Sequence, residues 1–430
     1  MIIGSHHRGA PTITVQKYGG SSLATVAHLR QVARRVVSTH SSAGPTVVVV
    51  SAPGRTTDEL LRLADAIGPQ RTGRETDQLL ATGEAASAAL LAIAVQNLGV
   101  PAVSLTGAQA GIRVVGKPGS GVIADIDTRR LRGILADGAV AVVAGFQGSD
   151  DVSDLITLGR GGSDTTAVAL AAVLSTRCCE IRTDVPGVAT ADPRVVHNVR
   201  ILPVVDVGLM AEMSFAGARV LHSRAVELAA MHQVELRIGS SSAGNSTDPG
   251  TIIPAGSDLT MLESHGVVVS IAHDLDVARV LVRCAAGCGD LTPEIFAMLS
   301  QRAIPVDLVA RSGPYEDEFR MGFTMRRKDT EETRSTIRRA MEGTGATIHV
   351  EENVGKVSLI GMGLLNRPEY TARMLATLAA AGIPTSWLST SQLRTSAVIP
   401  INRVLGAVQL LHEEFGLDRD HLDPVAASSA

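Results

Sequence analysis

Two short stretches built almost wholly of small and β-branched apolar residues, Thr46–Ser51 and Ala139–Gly145, constrain the fold most tightly. A strand with one wet face alternates apolar with polar side chains. These two offer no polar side, so both of their faces must be covered, as in the central strands of a parallel sheet. The surrounding segments supply the covers. Thr12–Gln16 is a short β-rich run. Helical stretches run from Thr25 to Thr39, over Thr76–Leu98, and from the glycine-rich loop Gly159–Gly162 through Leu174; Glu180–Thr183 is a further strand. This alternation predicts an α/β fold, a mainly parallel sheet with helices on both faces.

Between Ser240 and Ser257 the chain turns Ser-, Gly- and Pro-rich, which marks an edge of the first domain. Beyond it the rhythm changes. Strands are expected at Val267–Ala272, Ala278–Arg283, Val306–Ala310, Phe319–Met325 and Thr347–Glu351, with helices near Pro293–Arg302 and Glu331–Met341. The order then partly recurs, with strands Lys356–Ile360, Thr385–Ser389 and Arg394–Ile399 and helices Arg367–Ala381 and Val404–Phe415. Ala303-Ile304-Pro305-Val306 in one copy matches Gly382-Ile383-Pro384-Thr385 in the other, so two small α+β modules related by internal repetition are expected. The predicted division is a tail over 1–11, a catalytic domain over 12–245, a linker over 246–265, modules over 266–352 and 353–420, and a tail over 421–430.

Composition excludes several classes. Hydrophobic residues at 45% against 19% charged suit globular cores, and with 2% aromatics those cores must be aliphatic. A net charge of −4 without a basic block argues against nucleic acid. The longest apolar runs, such as Ala167–Leu174, fall far short of a membrane span, and the start has no signal-peptide pattern, so a cytoplasmic protein with no membrane partner is expected. The four cysteines, Cys178, Cys179, Cys284 and Cys288, have no histidines at zinc spacing and are read as reduced thiols; no protein metal site is expected.

Three motifs carry chemistry. Lys17-Tyr18-Gly19-Gly20-Ser21-Ser22 follows the first strand; its glycines admit phosphate oxygens and Lys17 supplies a point charge. It is not a Walker A loop, and alone it equally describes a plain strand-to-helix turn. Leu158–Thr166 (LGRGGSDTT) sets three glycines and an arginine before a helix start, an anion pocket in which the planar fork of Arg160 suits a carboxylate. Thr183-Asp184-Val185-Pro186-Gly187, with Asp192-Pro193-Arg194 beyond it, ends a strand, where open α/β sheets bind ligands. Ser51–Thr57 and Glu84 add hydroxyls and a carboxylate able to hold an ammonium. Two anion sites with Arg and Glu suit phosphoryl transfer from a nucleotide to a small zwitterionic acid, chemistry that rests on positioning and charge.

These strings resemble the aspartate kinases of the amino acid kinase superfamily over nearly all of Thr14–Leu417. Lys17–Ser22 is similar to the family's K-[FY]-G-G-[TS]-S, Leu158–Thr166 to its L-G-R-G-G-S-D-T-T, Cys179–Arg194 to its C-E-I to A-D-P-R run, and Val220-Leu221-His222 to its K-V-L-H-P. The resemblance implies a three-layer αβα catalytic domain, two C-terminal ferredoxin-like ACT domains, ATP and Mg²⁺ as cofactors, and L-aspartate as acceptor. It implies that Lys17, Arg160 and Asp184 are catalytic, and that Ser51, Thr57, Glu84, Phe146, Arg160, Ser163 and Asp164 hold aspartate. Lys17, Gly19, Gly20, Ser22, Thr183, Asp184, Arg194 and Arg219 would meet ATP. It further implies homo-oligomers through the ACT domains and lysine or threonine as effector. Ala189, Arg219 and Gly239 depart from the family pattern, which leaves open a related kinase with another acceptor; the turn Ala286–Asp290 departs in the first ACT module, and a non-catalytic amino-acid-sensing subunit is a further alternative.

Overall fold

The computed structural model describes residues 13–68, 73–218, 220–242, 250–256, 267–285, 290–302, 304–312 and 318–419. Both expected tails, most of the expected linker, Arg219 and Cys288 lie outside the described residues. The chain forms two compact units; the second takes in Ala189–Arg200, Ala216–Ala218 and Met261–Ala430.

The first unit is built on strands β1 (Thr14–Tyr18), β2 (Thr46–Val50), β3 (Ala102–Leu105), β4 (Ile112–Val115), β5 (Val122–Ile126), β6 (Val140–Ala144), β7 (Gln147–Ser149), β8 (Leu155–Thr157), β9 (Cys178–Thr183), β10 (Glu235–Ser240) and β11 (Thr251–Ile253). Its helices are α1 (Val26–Ala43), α2 (Thr56–Ile67), α3 (Arg74–Gln96), α4 (Arg129–Ala136), α5 (Gly162–Val173), α6 (Val207–Ala216, whose last residue belongs to the second unit) and α7 (Ser223–Met231). Seven strands pair in the order β11-β10-β9-β1-β2-β6-β3, all parallel except β11. As their composition requires, every residue of β2 and β6 is buried. Val48, Val50, Val140, Val142 and Ala144 face a core shared with Leu29, Val32 and Val36 of α1 and Leu91 and Val95 of α3. The opposite face is covered by α5, buried along Gly162–Ala171 and made almost wholly of small and aliphatic residues, as a helix enclosed on all sides must be.

A second, four-stranded sheet, β5-β4-β7-β8, was not expected; its three- to five-residue strands are too short to carry a pattern. Helix α3 is the one described helix long and apolar enough to cross a membrane, and half of its most apolar window is buried inside the unit.

The second unit has strands β12 (Val267–Ala285), β13 (Val306–Ser312), β14 (Glu318–Met325), β15 (Thr347–Met362), β16 (Trp387–Thr390) and β17 (Arg394–Pro400), and helices α8 (Thr292–Gln301), α9 (Thr330–Ala340), α10 (Pro368–Ala380) and α11 (Val404–Glu414). One antiparallel sheet runs β13-β14-β12-β15-β17-β16. Four of the expected strands thus fuse into two long ones. Asp274-Leu275-Asp276 interrupts the apolar pattern of β12, but the backbone absorbs the interruption as register shifts around Asp274–Val277 instead of breaking. Segment Ala189–Arg200 is packed into this unit. Ala191 and Val196 join the core of Val357, Leu359, Val408 and Leu411, and the Thr190 hydroxyl lies 2.9 Å from Nε2 of His412, whose imidazole burial holds below its ordinary pKa.

The thiols divide. Cys178 and Cys179 are free, and burial pushes the Cys178 thiol up to about 12, leaving it inert. Cys284 is instead disulfide-bonded, which corrects the expectation of a reduced thiol; metal-ligand spacing, the signal used, is silent about a single disulfide.

Candidate active site

Because β1, β2, β6, β9 and β10 are parallel, their carboxyl ends open on one edge of the sheet, and the turns leaving them carry the singled-out residues. Side-chain alternation on β1 sends Tyr18 into the α1–α3 core and Lys17 toward α5. There Lys17 Nζ lies 2.6 Å from Oδ1 of Asp164, in the first turn of α5, with the two side chains only 11% and 10% exposed. An acidic residue suits a helix N-terminus, and here it also fixes the ammonium group.

The turn after β1 is pressed against the turn after β2. A Cβ on Gly20 would lie 2.5 Å from the Ala52 carbonyl oxygen, so only glycine fits, and the Gly54 N–H donates to the Gly20 carbonyl at 2.8 Å. Ser51 opens that second turn, its N–H donating to Tyr18 O at 3.2 Å, and Thr57 sits in the first turn of α2. Glu84 reaches the same place from α3. It is 4% exposed; Oε1 accepts the Ala52 N–H at 3.1 Å, and Oε2 has no hydrogen-bond partner among the described residues. Burial pushes its carboxyl up to about 7, against the opposing pull of the Ala52 N–H.

Phe146, after β6, has φ 71°, a left-handed conformation that costs a non-glycine residue roughly 1–2 kcal/mol. Two hydrogen bonds hold it there: Leu158 N–H donates to its carbonyl at 2.8 Å, and its own N–H donates to Thr166 Oγ1 at 3.2 Å. Ser163 and Asp164 are buried at the start of α5, while Arg160 is exposed and has no ion-pair partner among the described residues. On the other side, Ser22 Oγ donates to Ser241 Oγ (2.8 Å), whose residue's N–H donates to Thr183 O (2.7 Å). The Gly19 N–H is taken by Arg182 O at 3.1 Å, so Gly19 offers room instead of a donor. Thr183 Oγ1 donates to the exposed Asp184 at 2.9 Å.

The first unit therefore brings Lys17, Gly19, Gly20, Ser22, Ser51, Glu84, Phe146, Ser163, Asp164 and Thr183 to one edge. Arg194 belongs to the second unit, where its guanidinium is forked onto Asp192 (Nη2–Oδ2 2.7 Å). Among the described residues, no three His, Cys, Asp or Glu side chains converge as metal ligands. Sequence reasoning overlooked Asp77, Ser241 and Arg224. Asp77 had a usable signal, since it stands seven residues before Glu84 and so on the same helix face.

Residues 12–240 match the model of the amino acid kinase family, and 357–415 that of an ACT domain. The aspartokinase of Geobacillus stearothermophilus is 41% identical over 94% of this chain and 97% of its own, and that of Mycolicibacterium smegmatis is 41% identical over 95% and 97%. The chain belongs to the aspartokinase family. Among solved aspartokinases, that of Synechocystis is 37% identical with a TM-score of 0.52, covering 94% of this chain and 69% of its own. Aspartokinase III of Escherichia coli, solved with aspartate and ADP, shares the fold at TM-score 0.80 and 24% identity over 94% and 99%.

In this aspartokinase Gly161 is the least replaceable glycine of the Arg160 loop. Its φ is 70°, and a Cβ there would lie 2.1 Å from Cβ of His222. Gly161→Ala is expected to cost at least about 2 kcal/mol, from left-handed strain plus the clash, read by denaturant unfolding. An unchanged unfolding midpoint would contradict this packing.

Proposed function

We propose that this chain transfers the γ-phosphoryl group of ATP to the side-chain carboxylate of L-aspartate, giving 4-phospho-L-aspartate and ADP, the first step toward lysine, threonine and methionine. The observation that carries the reading is the Lys17 ammonium held by Asp164 between the glycine turn of β1 and the start of α5. A carboxylate oxygen of aspartate forms the new P–O bond while the bond from the γ-phosphorus to the bridging oxygen of ADP breaks; no proton moves, so no general base is required. In this reading Lys17 stabilises charge on the transferring oxygens, Gly19, Gly20 and Ser22 make room for the phosphates, and Thr183, Asp184, Arg194 and Arg219 meet the nucleotide. Arg160 takes the α-carboxylate and Glu84 the ammonium, with Ser51, Thr57, Phe146, Ser163 and Asp164 completing the pocket.

Mg²⁺ would enter with ATP, held mainly through phosphate oxygens and water, and would supply charge neutralisation beside Lys17. The catalytic domain is assigned to 12–245 and the two ACT domains to 266–352 and 353–420, sharing β15. The ACT domains are the seat of homo-oligomerisation and of a lysine or threonine effector. The cytoplasm is the compartment this metabolism requires.

Incubation with Mg-ATP, aspartate and hydroxylamine tests the reaction, because an acyl phosphate is trapped as a hydroxamate. Hydroxamate is expected with aspartate; signal only with another acid, or none with any, would refute the reading. Glu84 adds a pH signature. Its raised pKa means that below about pH 7 the free carboxyl is mostly protonated and cannot pair an ammonium, whereas above it the charge is present. The kcat/KM for aspartate should therefore fall as pH drops through about 7, and Glu84→Gln should flatten that limb. A profile unchanged by Glu84→Gln would count against the assignment.

A further inference from the structure

Helix α3 carries a second buried carboxylate for which the reaction has no use. Asp77 is 1% exposed and has no ion-pair partner among the described residues. Its oxygens are taken by three neutral donors: Oδ2 by the N–H groups of Thr157 (2.7 Å) and Gly119 (2.9 Å), Oδ1 by the Thr157 hydroxyl (2.8 Å). A polar group buried this fully is costly unless its hydrogen bonds are met, so the place of Asp77 is tied to what it holds.

What it holds leads to Arg160. Thr157 ends β8, two residues before the loop Gly159–Gly162, and Gly119 sits in the turn joining β4 to β5. Arg224 of α7 laces the same two segments, donating from Nη1 to Leu158 O (3.0 Å) and from Nη2 to Gly121 O (2.8 Å), while the Gly121 N–H donates to Thr157 O (2.9 Å). The Gly119 carbonyl then sits so close that a Cβ on Gly159 would lie 2.8 Å from it. Arg160 is the next residue, and among the described residues its side chain has no ion-pair partner to steady it.

We infer that Asp77 and Arg224 are positioning residues that clamp the Arg160 loop to the β4–β5 turn, and that α3 thereby sets the spacing at which an amino acid's two charged ends are read. Asp77 anchors the carboxylate reader, and Glu84, two helical turns or about 10 Å further along α3, is the ammonium reader. Between them Gln147 Nε2 donates to Ala81 O at 3.0 Å, tying the start of β7, just after Phe146, to the same helix. The inference rests on the assignment of Arg160 and Glu84 to aspartate.

Steady-state kinetics test it. Asp77→Ala, which removes both acceptor oxygens and so all three hydrogen bonds, is expected to raise KM for aspartate about tenfold while KM for ATP stays within about twofold. Asp77→Asn should restore the parent KM to within about threefold, since its amide oxygen can take both N–H groups and its amide nitrogen can donate to the Thr157 hydroxyl. In an Arg160→Ala background, Asp77→Ala should have no further effect on KM for aspartate. If Asp77→Ala does not fold, Thr157→Val, which removes one of the three donors, carries the same comparison. Equal rises in both Michaelis constants, or independent multiplication of the Asp77 and Arg160 effects, would overturn the clamp. Failure of the parent enzyme to turn over aspartate would instead overturn the proposed activity.

Discussion

The Lys17–Asp164 ion pair organises the first unit's candidate site. Removing two opposite charges from water is costly, and such a pair persists only where the fold determines both positions. The central strand β1 aims Lys17 at α5, and α5, walled in by aliphatic neighbours, presents Asp164 in its first turn. Moving either element breaks the pair and leaves an uncompensated charge. The close approach of Gly20 to Ala52 and of Gly161 to His222 follows from the same geometry, because the flanking turns must come near enough to enclose the ammonium without side chains of their own.

From that pair the proposed chemistry requires little. Phosphoryl transfer to a carboxylate is served by fixed charge and alignment, and the site's groups are held in advance by backbone: Glu84 by Ala52, Phe146 by Leu158, Ser241 by Thr183. Preorganisation is paid for in strain and burial, seen in the left-handed Phe146 and in the raised pKa of Glu84. The chain passes between the two units: Ala189–Arg200 leaves the first unit after Val188, packs within the second, where Thr190 meets His412 of α11, and returns at Ile201.

The sheet and the glycine turns were legible in the sequence because each rests on local composition. Unbroken apolar runs forced β2 and β6 into a covered sheet, and Leu158–Thr166 placed three glycines and a charged pair just where α5 begins. What could not be read depends on contacts between distant segments. The four-stranded sheet is held by pairings across loops, and β12 and β15 continue through polar residues because their partners do. Spacing puts Asp77 on the Glu84 face of α3, but what it holds shows only once Thr157 and Gly119 are seen around it. Arg194 is close in sequence to the turn after β9, and that it packs in the second unit shows only in the fold. Cys284 showed no sign of its disulfide, since spacing alone does not distinguish a bond from two thiols.

In the proposed reaction Lys17 acts on the transferring phosphoryl group only as Asp164 positions it. The direct test is a double-mutant cycle in kcat with Lys17→Met and Asp164→Asn. Lys17→Met should lower kcat by roughly a thousandfold, as loss of a charge on a developing transition state does, and adding Asp164→Asn should slow the enzyme no further. Two losses that multiply, or a Lys17→Met enzyme that keeps its kcat, would contradict it.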